Sequence, residues 1–344
     1  MSNNRIYYPH VAVGIAPQGS SSFTVIHGLQ EFGMTANFNL EQVQEIGQFE
    51  IYEDVEGLPE VEFNLDKVLD GYPLIYHLAT QGAATDSLAG RANRRCTLAC
   101  SVFDDDQDSA SGTPLKELQS SGLYADSLRY TIPSEGNCTE SVTLKGNHAQ
   151  WVSSGFTFTG TLFDNSDEPL ALTSGLGGVQ RRENVVFAGA TLADVTLLPN
   201  GLNGIPGISA SGTNDKTAGV YGAHISNITI SADLNREDIV ELGTKNPYFR
   251  APQGNTDVTC EISVVSILGP NVSFNETGIA SGLNTFSKKI QVVLEDGTTL
   301  DLGSKNRMTS CQMGNLSSNG GNVTDSYSYR NRNSLTISQP QSPG

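Results

Sequence analysis

A stretch of fourteen residues occurs twice in this chain, almost two hundred residues apart. Residues 34–47 read MTANFNLEQVQEIG and residues 230–243 read ISADLNREDIVELG, and the two align without a gap. Five positions are identical: Ala36 with Ala232, Asn39 with Asn235, Glu41 with Glu237, Glu45 with Glu241, and Gly47 with Gly243. Most other pairs keep their apolar or polar character. A chain that repeats itself in this way is expected to contain two copies of one structural unit.

Two further matches follow in the same order along the chain. GNCTES at residues 136–141 aligns with GNVTDS at residues 321–326, and four of the six positions are identical. Between these anchors, EVEFNLD from Glu60 lies opposite DVTCEIS from Asp257. Three matches in one order predict a duplicated domain.

The repeated segments have the pattern of a short capped helix. Asn39 and Asn235 stand where an N-cap would accept a backbone N–H, and Glu41 and Glu237 fall in the first turn, where the helix dipole favours a negative charge. Gly47 and Gly243 stand where a helix C-terminus commonly needs glycine. The pattern predicts about two helical turns in each copy, which must pack against something else because so short a helix is unstable alone.

The rest of each copy has β patterns. EVEFNL alternates Val61, Phe63 and Leu65 with polar residues, and DVTCEISVV alternates in the same way. KKIQVVLEDGTTLDLG predicts two strands around an Asp296-Gly297 turn, and SLRYTI and GFTFTGTLF resemble strands as well. The fold class expected is therefore mainly β, with two tandem homologous domains that resemble a sandwich or barrel, each with a short α-helix.

The length of 344 residues suggests about two domains. Residues 1–151 are expected to form the first domain with an N-terminal arm, and residues 225–344 the second. Residues 152–224 are rich in glycine, too long for a simple linker, and too apolar around residues 185–198 to be disordered. They are expected to form an extended arm or hairpin between the domains.

The chain carries 37 acidic and 20 basic side chains, a formal net charge of −17. This charge argues against a protein that grips nucleic acid through its phosphates, but not against one that lets nucleic acid pass. The N-terminus has no leader pattern and no apolar run approaches a membrane span, so a soluble protein made in the cytoplasm is expected. The five cysteines, Cys96, Cys100, Cys138, Cys260 and Cys311, are expected to be buried, reduced thiols; the alternative is that an odd cysteine exposed at a subunit contact cross-links chains.

No group of residues predicts catalysis, a cofactor or a metal. The five histidines form no metal-type cluster, and no nucleophile elbow or phosphate-binding loop is found. The loop FDDDQDSASG alternates Asp104, Asp106 and Asp108 as a calcium loop would, but Ser109 and Leu115 stand where glycine and glutamate are needed. A solvated loop is favoured there, and the protein is expected not to be an enzyme.

Taken together, these motifs resemble the tail tube proteins of tailed bacteriophages, in a version with a duplicated tube domain. The resemblance lies in the repeated NREDIVELG-like and GNxTES-like signatures, the segment GVQRREN…IPGISASG between them, and DGTTLDLGSKNRM. It extends from about residue 25 to the end of the chain. Its motifs are moderately specific, since no short signature defines a tail tube.

The resemblance implies a structural protein of the virion tail that is assembled in the host cytoplasm. Members of that family form stacked rings around a lumen through which the genome leaves, with inner sheets joined edge to edge. The partners implied are other copies of the chain, and the tail sheath, baseplate and neck proteins, while DNA passes without tight binding. Two tube domains per chain imply a ring of three chains with pseudo-sixfold symmetry.

Two alternatives remain open on the sequence. The chain could serve another part of the same particle, such as a tail terminator, a baseplate hub or the tube of a related injection machine. It could also be a surface adhesin or carbohydrate-binding β protein, with Tyr124, Tyr130 and Trp151 stacking on sugar rings. A lone tryptophan, however, is more often a core residue than a binding platform.

Overall fold

The fold is described by a computed structural model. It describes residues 6–81, 88–105, 109–163, 178–187, 191–199, 225–252, 256–266, 272–274, 280–282, 288–314 and 321–340. Most of the ordered backbone is β-strand in antiparallel sheets, which confirms the mainly β class.

The strands that precede residue 164 are β1 (Val11–Pro17), β2 (Thr24–Val25), β3 (Leu29–Asn37), β4 (Leu40–Gln44), β5 (Ile51–Glu56), β6 (Glu60–Val68), β7 (Cys96–Val102), β8 (Ser111–Gly112), β9 (Lys116–Pro133), β10 (Thr139–Gly146), β11 (Gln150–Val152) and β12 (Gly160–Thr161). Two α-helices, α1 (Ile75–Thr80) and α2 (Leu88–Ala92), lie between β6 and β7.

The strands that follow residue 224 are β13 (Ile225–Asp233), β14 (Arg236–Ile239), β15 (Phe249–Pro252), β16 (Asp257–Val265), β17 (Val272–Phe274), β18 (Ala280–Gly282), β19 (Gln291–Val293), β20 (Thr299–Asp301), β21 (Arg307–Met313), β22 (Thr324–Arg332) and β23 (Thr336–Ser338). Short 3-10 helices cover Tyr8–His10, Arg182–Asn184 and Leu192–Asp194.

Eight strands form one continuous antiparallel path, in the order β3-β6-β10-β9-β13-β16-β22-β21. We call the first four strands of this path the first unit and the last four the second unit. The second half of β9 belongs to the first unit, whereas its first half pairs with β7 and β11 in a second sheet that continues through β1 to β2. One strand of 18 residues thus serves both sheets.

The two units have the same strand order and the same register. The pairs Met34 with Phe63 and Phe63 with Leu144 in the first unit correspond to Ile230 with Cys260 and Cys260 with Tyr329 in the second. Each unit also has a β-bulge at the same point of its last pair of strands, where Asp126 and Thr309 are the extra residues. The alignment read from the sequence therefore matches residues that occupy equivalent places.

The core lies on one face of this eight-stranded sheet. Every second side chain of β6 and β16 is buried, including Phe63, Leu65, Cys260 and Ile262. A single apolar cluster contains residues of both units together with those of α1, β1 and β7. The strand patterns predicted at EVEFNL, DVTCEISVV and SLRYTI are confirmed as parts of β6, β16 and β9, whereas GFTFTGTLF forms only the short β12.

The short helices predicted at residues 39–47 and 235–243 are wrong. Both segments are hairpin strands instead: β4 pairs with β5, and β14 pairs with β15. Each hairpin starts at an asparagine in the left-handed region, with φ of 46° at Asn39 and 41° at Asn235. The side-chain oxygens of Asn37 and Asp233 accept the N–H groups of these asparagines at 3.1 and 2.9 Å.

The helix prediction failed because asparagine favours both N-caps and tight turns with positive φ. Two helical turns gain little stability by themselves, whereas pairing with a strand several residues downstream satisfies the backbone. Gly47 and Gly243, with φ of 106° and 93°, lie in the connections of the two hairpins rather than at helix ends. The repeat itself is preserved, since each hairpin joins the first to the second strand of its unit.

The hairpin predicted around Asp296-Gly297 is confirmed, as β19 pairs with β20 and Gly297 has a φ of 86°. Two of the described residues between positions 152 and 224 form bridges along it: Val185 bridges to Leu294, and Leu197 bridges to Gln291. Residues 164–177, 188–190 and 200–224 of the expected arm lie outside the described residues. The domain boundaries at 151 and 225 stay a prediction, although backbone pairing of β9 with β13 joins the two halves in one sheet.

One buried carboxylate fixes α1 against the first unit. Glu140 of β10 accepts the backbone N–H groups of Ile75 and Tyr76 at 2.7 and 3.1 Å, and the hydroxyl of Tyr130 at 2.8 Å. Asp325 occupies the equivalent place in the second unit and is buried, yet among the described residues neither of its carboxylate oxygens has a hydrogen-bond partner.

The isosteric substitutions Glu140→Gln and Asp325→Asn should therefore have opposite effects. Glu140→Gln places an amide donor against the donors of α1 and should lower the free energy of unfolding by about 2 kcal/mol. Asp325→Asn replaces a buried carboxyl group that has no hydrogen-bond partner among the described residues, so it should leave that free energy unchanged or raise it. Urea denaturation followed by circular dichroism measures both, and equal losses would contradict the assigned role of Glu140.

Candidate assembly surfaces

The continuous sheet has an open strand at each end. Within the described residues, β3 pairs with β6 alone and β21 pairs with β22 alone. An open edge offers a row of backbone donors and acceptors to another strand, which is a risk of aggregation unless a specific partner takes it. The two edges belong to opposite ends of the repeat, because β3 is the first strand of the first unit and β21 the last strand of the second.

The junction between the units shows how such edges fit together. β9 pairs with β13 from Asn227 opposite Pro133 to Asp233 opposite Ser127. The pairing continues past β13, since the N–H of Leu234 donates to the carbonyl oxygen of Asp126 at 2.9 Å. We call this contact the internal junction. It is formed by the last strand of one unit and the first strand of the next.

Apolar side chains at the internal junction are fully buried. On the β13 side these are Ile228, Ile230, Ala232 and Leu234, and on the β9 side they are Ala125, Leu128, Tyr130 and Ile132. The burial follows from the register, because each side chain lies beside one from the other unit and above the common core.

The equivalent side chains at the open edges are exposed. Met34, which corresponds to Ile230, is 40% exposed, and Phe38, which corresponds to Leu234, is 64% exposed. On β21, Met313 corresponds to Tyr130 and is 46% exposed. Both ends of the sheet therefore expose large apolar groups whose counterparts at the internal junction are buried.

A groove of about 730 Å³ runs beside the β3 edge. Its lining is mostly apolar and includes Val11, Ile26, Leu29, Phe32, Met34 and Trp151. Trp151 is 49% exposed, so the expectation that the lone tryptophan is a core residue is wrong. Trp151 lies on the short strand β11, and its side chain lines the groove.

The two hairpins form a second pair of surfaces. Eight residues of the repeated segments are identical in the first and second hairpin, and all are exposed: Asn39, Glu41, Glu45, Gly47, Asn235, Glu237, Glu241 and Gly243. The two asparagines stand at the turns where the hairpins begin, and the other six lie on the strands or connections of the hairpins. The tips carry apolar groups in full contact with solvent, namely Ile46, Phe49, Leu242 and Tyr248. The sequence located these segments correctly as repeated, but it did not show that they project.

The second hairpin is clamped to the first unit by Arg236. Its guanidinium donates to the carbonyl oxygens of Ala125 at 2.6 Å, Arg250 at 3.0 Å, and Ala92. It also lies over the ring of Tyr124, 4.8 Å from the centroid. Burial lowers the pKa of Arg236 to about 10, so the group remains charged at neutral pH.

The first hairpin has Leu40 at the position of Arg236, and this side chain is 60% exposed. The divergence between the copies therefore has a structural meaning. Arginine occurs where the hairpin meets a unit of the same chain, and leucine occurs where the chain presents no such unit.

The open face of the eight strands is polar and carries both signs of charge. Its carboxylates are Glu31, Glu60, Glu62, Asp66, Asp233, Asp257 and Glu261, and its cations are Arg129, Lys145, Arg307, Arg330 and Arg332. The acidic excess lies in the first unit. Asp257 forms an ion pair with Arg330, and Nζ of Lys145 lies 3.0 Å from Oδ2 of Asp126.

Four of the five cysteines are buried as expected, whereas Cys311 is only partly buried. Burial raises the pKa of Cys96, Cys100, Cys138 and Cys260 to about 12, and all five cysteines are free thiols. Over the described residues, no group of three or more metal-ligating side chains converges. Asp106 and Asp108 of the acidic loop lie outside the described residues. No helix among the described residues is long and apolar enough to cross a membrane.

No protein-family model matches the chain, and no curated protein sequence matches it. Among solved structures it is similar to a chain from the cryo-EM structure of the anti-feeding prophage (AFP) baseplate, 6-fold symmetrised. The two are 8% identical, with a TM-score of 0.33 over 45% of this chain and 100% of that chain. At this TM-score the likeness does not establish a shared fold.

The Arg236 clamp can be tested on the unassembled chain. Arg236→Leu, which copies the residue of the first hairpin, should lower the free energy of unfolding by about 2–4 kcal/mol because three carbonyl oxygens lose their donor. Leu40→Arg is the matched control and should change it by less than about 0.5 kcal/mol because the site is exposed. A small effect of Arg236→Leu in thermal or urea unfolding would contradict the clamp.

Proposed function

We propose that the chain is a structural subunit of a tail tube, in which copies join edge to edge into closed rings that stack. The observation that carries this proposal is the internal junction, in which the last strand of one unit pairs with the first strand of the next. Within the described residues, the eight-stranded path ends at β3 and β21, one strand of each kind, and the outer edge of each has no partner. A second copy can therefore continue the series by the same geometry.

A contact between two different surfaces of identical chains is heterologous, and it produces a closed ring when its rotation closes. Both units would then have the same neighbours within the ring, since each β3-type strand meets a β9-type strand. If a ring of single-unit subunits uses about six of them, as the resemblance to tail tube proteins implies, three copies of this chain provide the same six units. Duplication thus halves the number of chains without changing the order of strands.

The projecting hairpins supply the second kind of contact. Their tips expose Ile46, Phe49, Leu242 and Tyr248, two large apolar groups in each unit. In a ring these tips would recur once per unit, which suits contacts with a ring above or below. We assign the stacking of rings to these hairpins.

The open polar face would line the lumen. Serine, threonine and asparagine alternate there with charges of both signs, and the net charge of the whole chain is strongly negative. On this face the seven carboxylates outnumber the five cations, so a duplex would slide rather than bind. The protein would be assembled in the host cytoplasm, reside in the virion tail, and adjoin sheath, baseplate and neck proteins.

We also propose that the protein is not an enzyme. The buried carboxylate of Glu140 has a structural role at the start of α1, where it accepts two backbone N–H groups. The burial of Tyr124 and Tyr130 also removes two of the three aromatic residues considered for sugar binding. Another component of the tail remains the alternative that the ring measurement decides.

The assembled protein should form rings of three chains. Native mass spectrometry of isolated rings gives the number of chains, and negative-stain images of tubes give the symmetry. Threefold symmetry with a pseudo-sixfold outline is expected, because the two units have diverged at positions such as Leu40 and Arg236. Rings of six chains, or a protein that stays monomeric at high concentration, would contradict the proposed tube.

Assembled rings should bind short duplex DNA weakly even at low salt, where phosphate contacts are strongest. Fluorescence anisotropy with a labelled duplex should show no binding at micromolar protein. The matched variant Glu31→Lys with Asp66→Lys adds cations to the open face and should produce binding that added salt abolishes. Micromolar binding by the unsubstituted rings would rule out a low-affinity conduit.

A further inference from the structure

We infer a specific residue register for the contact between two copies: β21 of one chain pairs antiparallel with β3 of the next, with Met313 opposite Met34 and Cys311 opposite Ala36. This inference rests on the proposed ring and names its contact residue by residue. Its partner is a second copy of the chain.

The register follows from the equivalence of the two units. At the internal junction, Tyr130 of β9 lies opposite Ile230 of β13, and Leu128 lies opposite Ala232. Tyr130 pairs with Glu140 and Met313 pairs with Asp325, two residues that the repeat aligns, so Met313 corresponds to Tyr130 and Cys311 to Leu128.

The same alignment on the other strand pairs Met34 with Ile230 and Ala36 with Ala232. Met34 and Ile230 lie opposite Phe63 and Cys260, which are equivalent positions of the second strand in each unit. Transferring the internal register to the two open strands then places Gly33 opposite Gly314, Met34 opposite Met313, Thr35 opposite Gln312, Ala36 opposite Cys311, and Asn37 opposite Ser310.

Burial supports the transfer at two large apolar positions beside β3. Leu234 and Ile230 are completely buried at the internal junction, whereas their counterparts Phe38 and Met34 are 64% and 40% exposed. The contact between copies would bury both. The N–H of Phe38 would donate to the carbonyl oxygen of Thr309, as the N–H of Leu234 donates to that of Asp126.

The occupant of the groove beside β3 follows from the same geometry. Ile228 and Ile230 on the core side of β13 are buried, whereas Phe32 and Met34 on the core side of β3 line the open groove and lack an equivalent cover. The edge of the second copy that carries Cys311 and Met313 supplies it. This contact would also place Leu40 next to Met308. The equivalent residues at the internal junction are Arg236 and Ala125. An apolar contact between chains would therefore replace the hydrogen bond of the Arg236 clamp.

A native cysteine makes the register testable. Directly opposite residues of antiparallel strands have Cα atoms about 4.5–5.5 Å apart, within the range of about 4.4–6.8 Å that a disulfide spans. Ala36→Cys should therefore form a disulfide with Cys311 of the neighbouring chain. Rings of this variant, oxidised and run on a non-reducing gel, should yield covalent dimers and trimers that disappear on reduction.

Two controls separate this register from a general proximity. Thr35→Cys places a thiol on the opposite face of the strand and should give at least tenfold less cross-linked product. Ala36→Cys combined with Cys311→Ser should give none. Equal cross-linking by Thr35→Cys, or cross-linking that survives Cys311→Ser, would overturn the register.

Electron microscopy of the same samples separates failure of the register from failure of the proposed function. Rings that form normally but do not cross-link would overturn the register and leave the tube intact, whereas an absence of rings in the unsubstituted protein would overturn both. As a second variant, Phe38→Asp should abolish rings while leaving the melting temperature of the monomer unchanged, because Phe38 is exposed there. Leu234→Asp, its counterpart inside the chain, should lower that temperature, and normal rings from Phe38→Asp would contradict the contact.

Discussion

The backbone ladder between β9 and β13 is the interaction on which the rest of the structure depends. Without it the chain would hold two four-stranded sheets, each with two open edges. With it, the side chains of Tyr130, Ile230 and Leu234 share one core, and the hairpin that follows β13 is held by Arg236 across the junction. Edge strands are a liability in most proteins, and here the pairing converts two of four edges into interior strands.

The two units are similar in backbone and different in what they bury. Glu140 receives three donors around α1, whereas Asp325 at the same place receives none among the described residues. Arg236 is buried at one junction, whereas Leu40 is exposed at the open edge. Repetition of the backbone preserves the order and register of the strands, and divergence of the side chains distinguishes the internal junction from the open edges.

The sequence predicted the elements whose signals are local and periodic. The alternation at Val61, Phe63 and Leu65 identified a half-buried strand, and the offset between the repeats identified equivalent residues before any pairing was known. The hairpins at Asn39 and Asn235 were mistaken for helices because an asparagine followed by acidic residues satisfies a helix start as well as a turn. The segments form strands rather than helices because they pair with Ile51–Glu56 and Phe249–Pro252. The sequence of the repeated segments does not show that these partner strands exist. The exposure of Phe38 and Trp151 could not be predicted either, because it depends on which strands end the sheet.

The bulges at Asp126 and Thr309 have a consequence for the size of any closed assembly. An extra residue bends its strand and increases the local twist, and here the bend occurs at the same point of the last pair of strands in each unit. Each unit therefore adds a similar angle to the path of the sheet. The circumference of a closed sheet depends on how many such angles complete a full turn, so in the proposed ring two single residues, one per unit, would help to set the circumference.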